Sequence, residues 1–398
     1  MNPDLKQLQP YPFEKLARLK QGITPPAHLS HIALSIGEPK HAAPDFVAQA
    51  LINELHHLST YPSTAGLPQL RQAMAAWATR RFQLTPGTLT ADQHILPVGG
   101  TREALFSFVQ AVIDRNRSPL VLVPNPFYQI YEGAALLAGA EPYFLACDPG
   151  NRYLPDFEAV PEEIWQRCQL LFICSPGNPT GAVIPRETLT RLIELADRYD
   201  FVIASDECYS EIYPDEQNPP PGLLQVCAEL GREDYARCVV FHSLSKRSNL
   251  PGLRSGFVAG DARILGQFLK YRTYHGCALP IQVQIASIAA WEDETHVMEN
   301  RNLYRAKFEA VLPILKPVLE VSAPDAGFYL WPRTPMADDL FARELFATQN
   351  VTVLPGQFLS REVKGHHPGN GHCRLALVAP LEECIEAAER IRSFIKER

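Results

Sequence analysis

From about Gln69 to Gly260, short apolar runs alternate with longer stretches of helical period. The runs Pro119–Val123, Pro142–Ala146, Gln169–Cys174, Phe201–Ser205, Cys238–His242 and Ser255–Ala259 are rich in apolar residues. Strands buried on both faces of a parallel sheet read this way, because neither face meets water. Between them, Leu105, Phe108, Val109 and Val112 repeat at helical spacing. So do Leu189, Leu192, Ile193 and Ala196, after a Pro185 suited to opening a helix. This alternation predicts an α/β fold: a mostly parallel central sheet with helices on both faces. The C-terminal part reads differently. A helical run Asp338–Thr348 leads into a strand Val351–Leu354, and a strand Cys373–Val378 precedes an amphipathic helix from Leu381 to about Lys396. That pattern predicts a smaller α+β unit. The proline-rich, irregular N-terminal segment is expected to pack against it. The resulting division is a large unit over residues 46–280 and a smaller one over residues 1–45 and 281–398.

Composition narrows the class without deciding it. The 398 residues are 46% hydrophobic and 20% charged, ordinary for a globular enzyme. The net charge of -7 offers no basic field for nucleic acid. No apolar run approaches the roughly 18 residues of a membrane span, and the N-terminus lacks the apolar core of a secretory signal. Nine cysteines, an odd number scattered through apolar runs, read as free thiols of a cytoplasmic protein.

The chemistry sits at the ends of the expected strands, where open α/β sheets bind ligands. Ser-Pro-Gly-Asn-Pro-Thr-Gly follows Gln169–Cys174, Asp-Glu-Cys-Tyr follows Phe201–Ser205, and Ser-Leu-Ser-Lys follows Cys238–His242, with Arg254 eight residues after Lys246. Gly99-Gly100-Thr101-Arg102 opens the first of these helical stretches. Each fragment has a plain alternative. The Asn-Pro and Gly run is ordinary turn chemistry, Asp206 and Glu207 suit a solvated strand end, and a glycine pair suits any helix start. Ser243-Leu-Ser-Lys246 also satisfies S-x-x-K, the nucleophile motif of serine acyl enzymes, although SDN and KTG partners are absent. His366–Cys373 contains three histidines and a cysteine, but its spacing fits no standard zinc pattern, so no metal is expected. There is no phosphate-binding P-loop motif.

Taken together and in this order, the fragments resemble the class I aminotransferases, fold-type I enzymes dependent on pyridoxal 5'-phosphate. The likeness runs from Ile36-Gly37-Glu38-Pro39 to Arg374. The resemblance implies that Lys246 forms a Schiff base with the cofactor aldehyde and then shuttles the substrate proton. It implies a phosphate held by Ser243, Ser245, Arg254, Gly100, Thr101 and Arg102, and by Tyr61 of a second subunit, hence a homodimer. Asp206 would pair with the ring nitrogen, Asn178 and Tyr209 would bond the phenolic oxygen, and Tyr128 would stack on the ring. Arg374 would grip the substrate α-carboxylate in a two-pronged contact, with Gly37 and Asn178 nearby. A non-catalytic regulator built on the same fold is the other reading, but every catalytic position is filled. The stretches Arg247–Phe257 and Tyr271–Pro280 further resemble N-succinyldiaminopimelate aminotransferases of lysine and diaminopimelate biosynthesis. Small amino-acid and 2-oxo-acid substrates follow, with aspartate, alanine or aromatic specificity as alternatives. Arg272 and His275 are candidate contacts for the distal end of the substrate.

Overall fold

The computed structural model describes all 398 residues, Met1–Arg398. At its centre lies a seven-stranded sheet. Its spatial order is Ile95–Val98, Gly256–Gly260, Cys238–Ser243, Val202–Asp206, Cys168–Cys174, Leu120–Asn125 and Glu141–Ala146. Gly256–Gly260 is antiparallel to both neighbours and the remaining pairings are parallel, so a single strand runs backwards. All six expected strands are present with ends moved by a residue or two. Ile95–Val98 is an additional strand. It is four residues long and contains Pro97, a residue tolerated there because the strand is at the sheet edge.

Successive side chains of the central strands enter opposite cores, as the two-residue pleat requires. Leu120, Leu122, Leu171 and Ile173 pack on one face with Leu189, Leu192, Ile193 and Ala196 of the helix Arg186–Tyr199. Val121, Val123, Leu170 and Phe172 pack on the other with Leu105, Phe108 and Val109 of the helix Thr101–Val112. Burial on both faces explains why these strands are apolar throughout.

The smaller unit has its own core around Leu345, Val351, Leu375 and Ile391, covered by the helices Asp338–Gln349 and Leu381–Lys396. The expected strand Val351–Leu354 is two pieces. Val351–Thr352 pairs in parallel with Ile32–Ala33, and Leu354–Pro355 pairs antiparallel with Cys373–Arg374. The chain changes partner at Val353, which no local pattern signals.

Two expected boundaries need correction. The helix Ile281–Glu292 lies with the large unit, because Ala286, Ala290 and Trp291 are wholly buried in its core. The following helix, Thr295–Leu315, ends in the smaller core through Val311, Leu312 and Leu315. At the N-terminus, the helix Pro12–Leu19 packs Leu16 against Trp331, Leu354 and Leu359 of the smaller unit. The 3-10 turn Pro3–Gln7 and Leu8 instead meet the helix Ile130–Ala138 beside the large sheet.

Trp291 touches Trp77 and Phe257, with ring centroids 4.8 and 5.1 Å away, so its truncation leaves a large void in the main core. Trp291→Ala should destabilise the protein by about 3–5 kcal/mol, read as a lowered urea midpoint. An unchanged midpoint would contradict the burial of Trp291 in the main core.

Candidate active site

The carboxyl ends of the parallel strands and the amino end of Gly256–Gly260 share one edge of the sheet, because that strand is reversed. Arg254, which precedes its strand, therefore arrives beside Ser243, Ser245 and Lys246, which end or follow theirs. A cavity of about 560 Å³ opens at this edge. Its lining includes Thr101, Arg102, Tyr128, Asn178, Asp206 and Tyr209, together with Ser243, Ser245, Lys246, Arg254, Gly37 and Arg374.

One end of the cavity is a cradle of donors. Ser243 caps the short helix Leu244–Arg247: its Oγ accepts from Ser245 N at 3.1 Å and donates to Ser245 Oγ at 2.9 Å. Arg254 is exposed and donates to Pro251 O and Gly99 O, which leaves guanidinium donors facing the cavity mouth. Gly100, at φ 90°, lies so close to Arg254 that a Cβ would stand 2.2 Å from its Nη2. The positive φ favours glycine here, and its missing side chain leaves Arg254 this close to the turn.

At the sheet edge, Asp206 is 5% exposed. Its carboxylate accepts from Tyr131 Oη at 2.7 Å and from Cys208 N at 3.3 Å. Desolvation pushes its carboxyl upward, while these hydrogen bonds and the nearby His242 oppose that shift. Tyr128 receives a 2.7 Å hydrogen bond from Arg102 Nε. Tyr209 and Tyr329 share a hydroxyl contact of 3.0 Å.

Lys246 Nζ donates to the carbonyl of Gly37. Burial lowers its amine to about 8; Arg374 and Arg102 act in the same sense, opposed by Cys208 and Glu38. Arg374 donates to Asn178 Oδ1 at 2.9 Å and Ser35 O at 2.7 Å, and lies 4.6 Å over the Tyr329 ring. Its Nε is buried without a partner. An arginine this enclosed, with a donor left over and no carboxylate beside it, suits an incoming carboxylate.

The expected site residues thus converge, with Gly100 behind Arg254, except for Tyr61. That side chain is 99% exposed and outside the cavity. Arg272 is not free for substrate: it is 1% exposed and donates to both Glu103 oxygens at 2.8 and 2.7 Å. Glu103 also receives Gly99 N, so Arg272 braces the glycine turn from behind. His275 is exposed against Cys277. The three histidines of His366–Cys373 point to separate partners: His366 to Asp148, His367 to Ser360, and His372 onto the Trp331 ring. Tyr131, Cys208 and Tyr329 belong to the site and were not expected there. Tyr131 stands three residues after Tyr128, a helical spacing that hints at a shared direction. Nothing local marks Tyr329, but a Cβ at Gly37 would lie 2.0 Å from its hydroxyl.

A family model for aminotransferase class I and II matches residues 30–391. The chain is 34% identical over 396 residues to the LL-diaminopimelate aminotransferase of Nitratidesulfovibrio vulgaris, covering 97% of both. Among solved structures, an aminotransferase from Neisseria meningitidis superposes with a TM-score of 0.95 at 52% identity, over 99% of this chain and all of that one. A probable N-succinyldiaminopimelate aminotransferase from Thermus thermophilus gives 0.84 at 28% identity, over 96% and 99%. The chain belongs to the class I and II aminotransferases, enzymes that work with pyridoxal 5'-phosphate. The cavity fits that cofactor: hydroxyls and an arginine gather at one end, a buried carboxylate lies at the sheet edge, and a lysine amine lies in the same space. No helix is long and apolar enough to cross a membrane.

In cofactor-free protein the neutral form of Lys246 is the nucleophile, so its capture by an aldehyde and borohydride should rise with pH through a midpoint near 8. Arg374→Ala removes a cation that disfavours the ammonium, so the midpoint should move upward. A wild-type midpoint near the ordinary lysine value would contradict the site's electrostatics.

Proposed function

We propose that this enzyme exchanges amino groups between L-glutamate and N-succinyl-L-2-amino-6-oxopimelate, giving 2-oxoglutarate and N-succinyl-LL-2,6-diaminopimelate. The observation that carries the aminotransferase chemistry is one amine, Lys246, in the same cavity as a buried carboxylate, Asp206, and an enclosed guanidinium, Arg374.

Pyridoxal 5'-phosphate, when bound, supplies an electron sink and carries the amino group between two half-reactions. Ser243, Ser245, Thr101, Arg102 and Arg254 would hold its phosphate, with Gly100 giving room. Tyr61, exposed on its own subunit, would serve a second copy in a homodimer. Asp206, oriented by Tyr131 and Cys208, would pair with the ring nitrogen. Asn178 and Tyr209 would bond the phenolic oxygen, and Tyr128 would cover the ring. Arg374 orients the substrate by its α-carboxylate beside Gly37 and Asn178. Lys246 Nζ takes the α-proton, a role its lowered basicity favours because an appreciable share is neutral near pH 7.5.

The succinylated substrate is supported by the likeness of Arg247–Phe257 and Tyr271–Pro280 to that subfamily and by the Thermus thermophilus neighbour. The curated relatives support a second reading, unacylated LL-diaminopimelate. That compound carries a second ammonium where the first carries an acyl group. Glu38 is the one carboxylate of the cavity lining besides Asp206. Glu38→Gln should therefore raise KM for a substrate with a free distal ammonium and leave KM for the succinylated one unchanged or lower.

With 2-oxoglutarate as acceptor, turnover should favour N-succinyl-LL-diaminopimelate over free LL-diaminopimelate, aspartate and alanine, with parallel-line ping-pong kinetics. Preference for free LL-diaminopimelate, coupled to loss of affinity in Glu38→Gln, selects the second reading; preference for aspartate rejects both. Borohydride reduction of the holoenzyme should leave a pyridoxyl mass on the Lys246 peptide and none in Lys246→Ala. The mass on another peptide removes Lys246 from its role.

A further inference from the structure

The chemistry above uses the side chain of Lys246 and leaves unexplained how its backbone is held. Asn300, 2% exposed on the helix Thr295–Leu315, donates through Nδ2 to the carbonyls of Lys246 and Arg247 at 3.2 and 3.3 Å. Its Oδ1 accepts from Asn249 Nδ2 at 2.9 Å and lies 2.9 Å from His41 Nδ1. All four hydrogen-bonding positions of this amide are therefore in use. His41 Nε2 lies 2.6 Å from Lys307 Nζ, and Lys307, 2% exposed, also donates to Val378 O at 3.4 Å.

The directions are determined by chemistry. An ammonium only donates, so His41 Nε2 accepts from Lys307, its Nδ1 carries the hydrogen, and that hydrogen goes to Asn300 Oδ1. Burial lowers the Lys307 amine to about 8, which keeps it mostly charged at neutral pH, and burial likewise keeps His41 neutral. The groups facing this pair are the Tyr304 ring, 4.9 Å from Lys307 Nζ and 4.7 Å from the His41 ring, and Cys384. His41 ends the segment Ile36–His41, whose Ile36, Gly37 and Glu38 line the cavity and whose Gly37 carbonyl receives Lys246 Nζ. The contacts close a circuit: Lys246 amine to Gly37, along the chain to His41, across to Asn300, and back to the Lys246 carbonyl.

We propose that Asn300 and His41 are positioning residues that lock the 36–41 segment to the Lys246 turn and so fix where the reacting amine sits. The proposal rests on the reading of Lys246 as that amine. A buried asparagine could serve packing alone, and so could a histidine packed against Tyr304. Two near-isosteric variants separate these roles. His41→Phe keeps a ring against Tyr304 but neither hydrogen bond. Asn300→Asp keeps the shape but replaces two donors with acceptors facing carbonyl oxygens.

Both variants should keep cofactor affinity within about threefold while kcat falls about 10- to 100-fold, the scale of a small misplacement of a reacting group. In cofactor-free protein, the pH midpoint of Lys246 capture should rise by half a unit or more, because a released segment hydrates the amine. Wild-type kcat and midpoint in a folded His41→Phe protein overturn the proposal, whether or not Asn300→Asp folds. Loss of stability without a kcat or midpoint change in either variant also overturns it, leaving a packing role. Failure of wild-type Lys246 to be captured sinks the reading of Lys246 instead, a result distinct from unchanged variants.

Discussion

Desolvation of charge at one edge of the sheet is the constraint on which the site depends. Lys246, Asp206 and Arg374 all sit where water is largely excluded, and each would be costly there without a purpose or partner. Arg374 has Asn178 and the Ser35 carbonyl but no carboxylate, and its Nε is unpartnered. Asp206 has Tyr131 and the Cys208 amide but no cation in contact. The cavity therefore holds unmatched charges of both signs, poised for a ligand that carries their complements. Buried charges left without ionic partners lower stability and are characteristic of binding and reactive sites.

The geometry that brings these groups together follows from one reversed strand. In a fully parallel sheet, residues before a strand lie at the edge opposite those after it. Reversing Gly256–Gly260 moves Arg254 to the edge already occupied by Ser243, Ser245 and Lys246. At the start of that strand the backbones come close, since a Cβ on Gly256 would stand 2.4 Å from the His242 carbonyl. Behind this edge a second tier of polar residues orients the first. Arg272 and Glu103 brace the glycine turn, Tyr131 aims Asp206, and Asn300 with His41 ties the lysine turn to the 36–41 segment. Such supporting groups hold reactive side chains within narrow limits.

Much of this was legible along the chain because its signals are local. Buried strands announce themselves as apolar runs, and polar residues immediately after such runs, as at Asp206 and Lys246, must lie at strand ends. The groups that escaped notice act across large sequence separations. Tyr131 meets Asp206 from 75 positions away, and Tyr329 meets Tyr209 from 120. Arg272 is a reasonable candidate for a long, multiply charged substrate until its partner is known, and that partner, Glu103, is 169 residues distant. The boundary expected at residue 280 shifts for a similar reason, since nothing in the chain states which core residues 281–292 will cover.

The amino-acid sequence by itself determined the alternation of strands and helices, the buried character of the sheet, and the order of reactive residues along its strand ends. These properties depend on neighbours in the chain, through pleat and helical period. The tertiary structure alone decided the direction of Gly256–Gly260, the partner change at Val353, and which buried tyrosines, arginines and amides support the reactive ones. Those depend on which distant surfaces exclude water from each other, and a buried polar group is satisfied only by whatever partner the completed packing brings within hydrogen-bond reach.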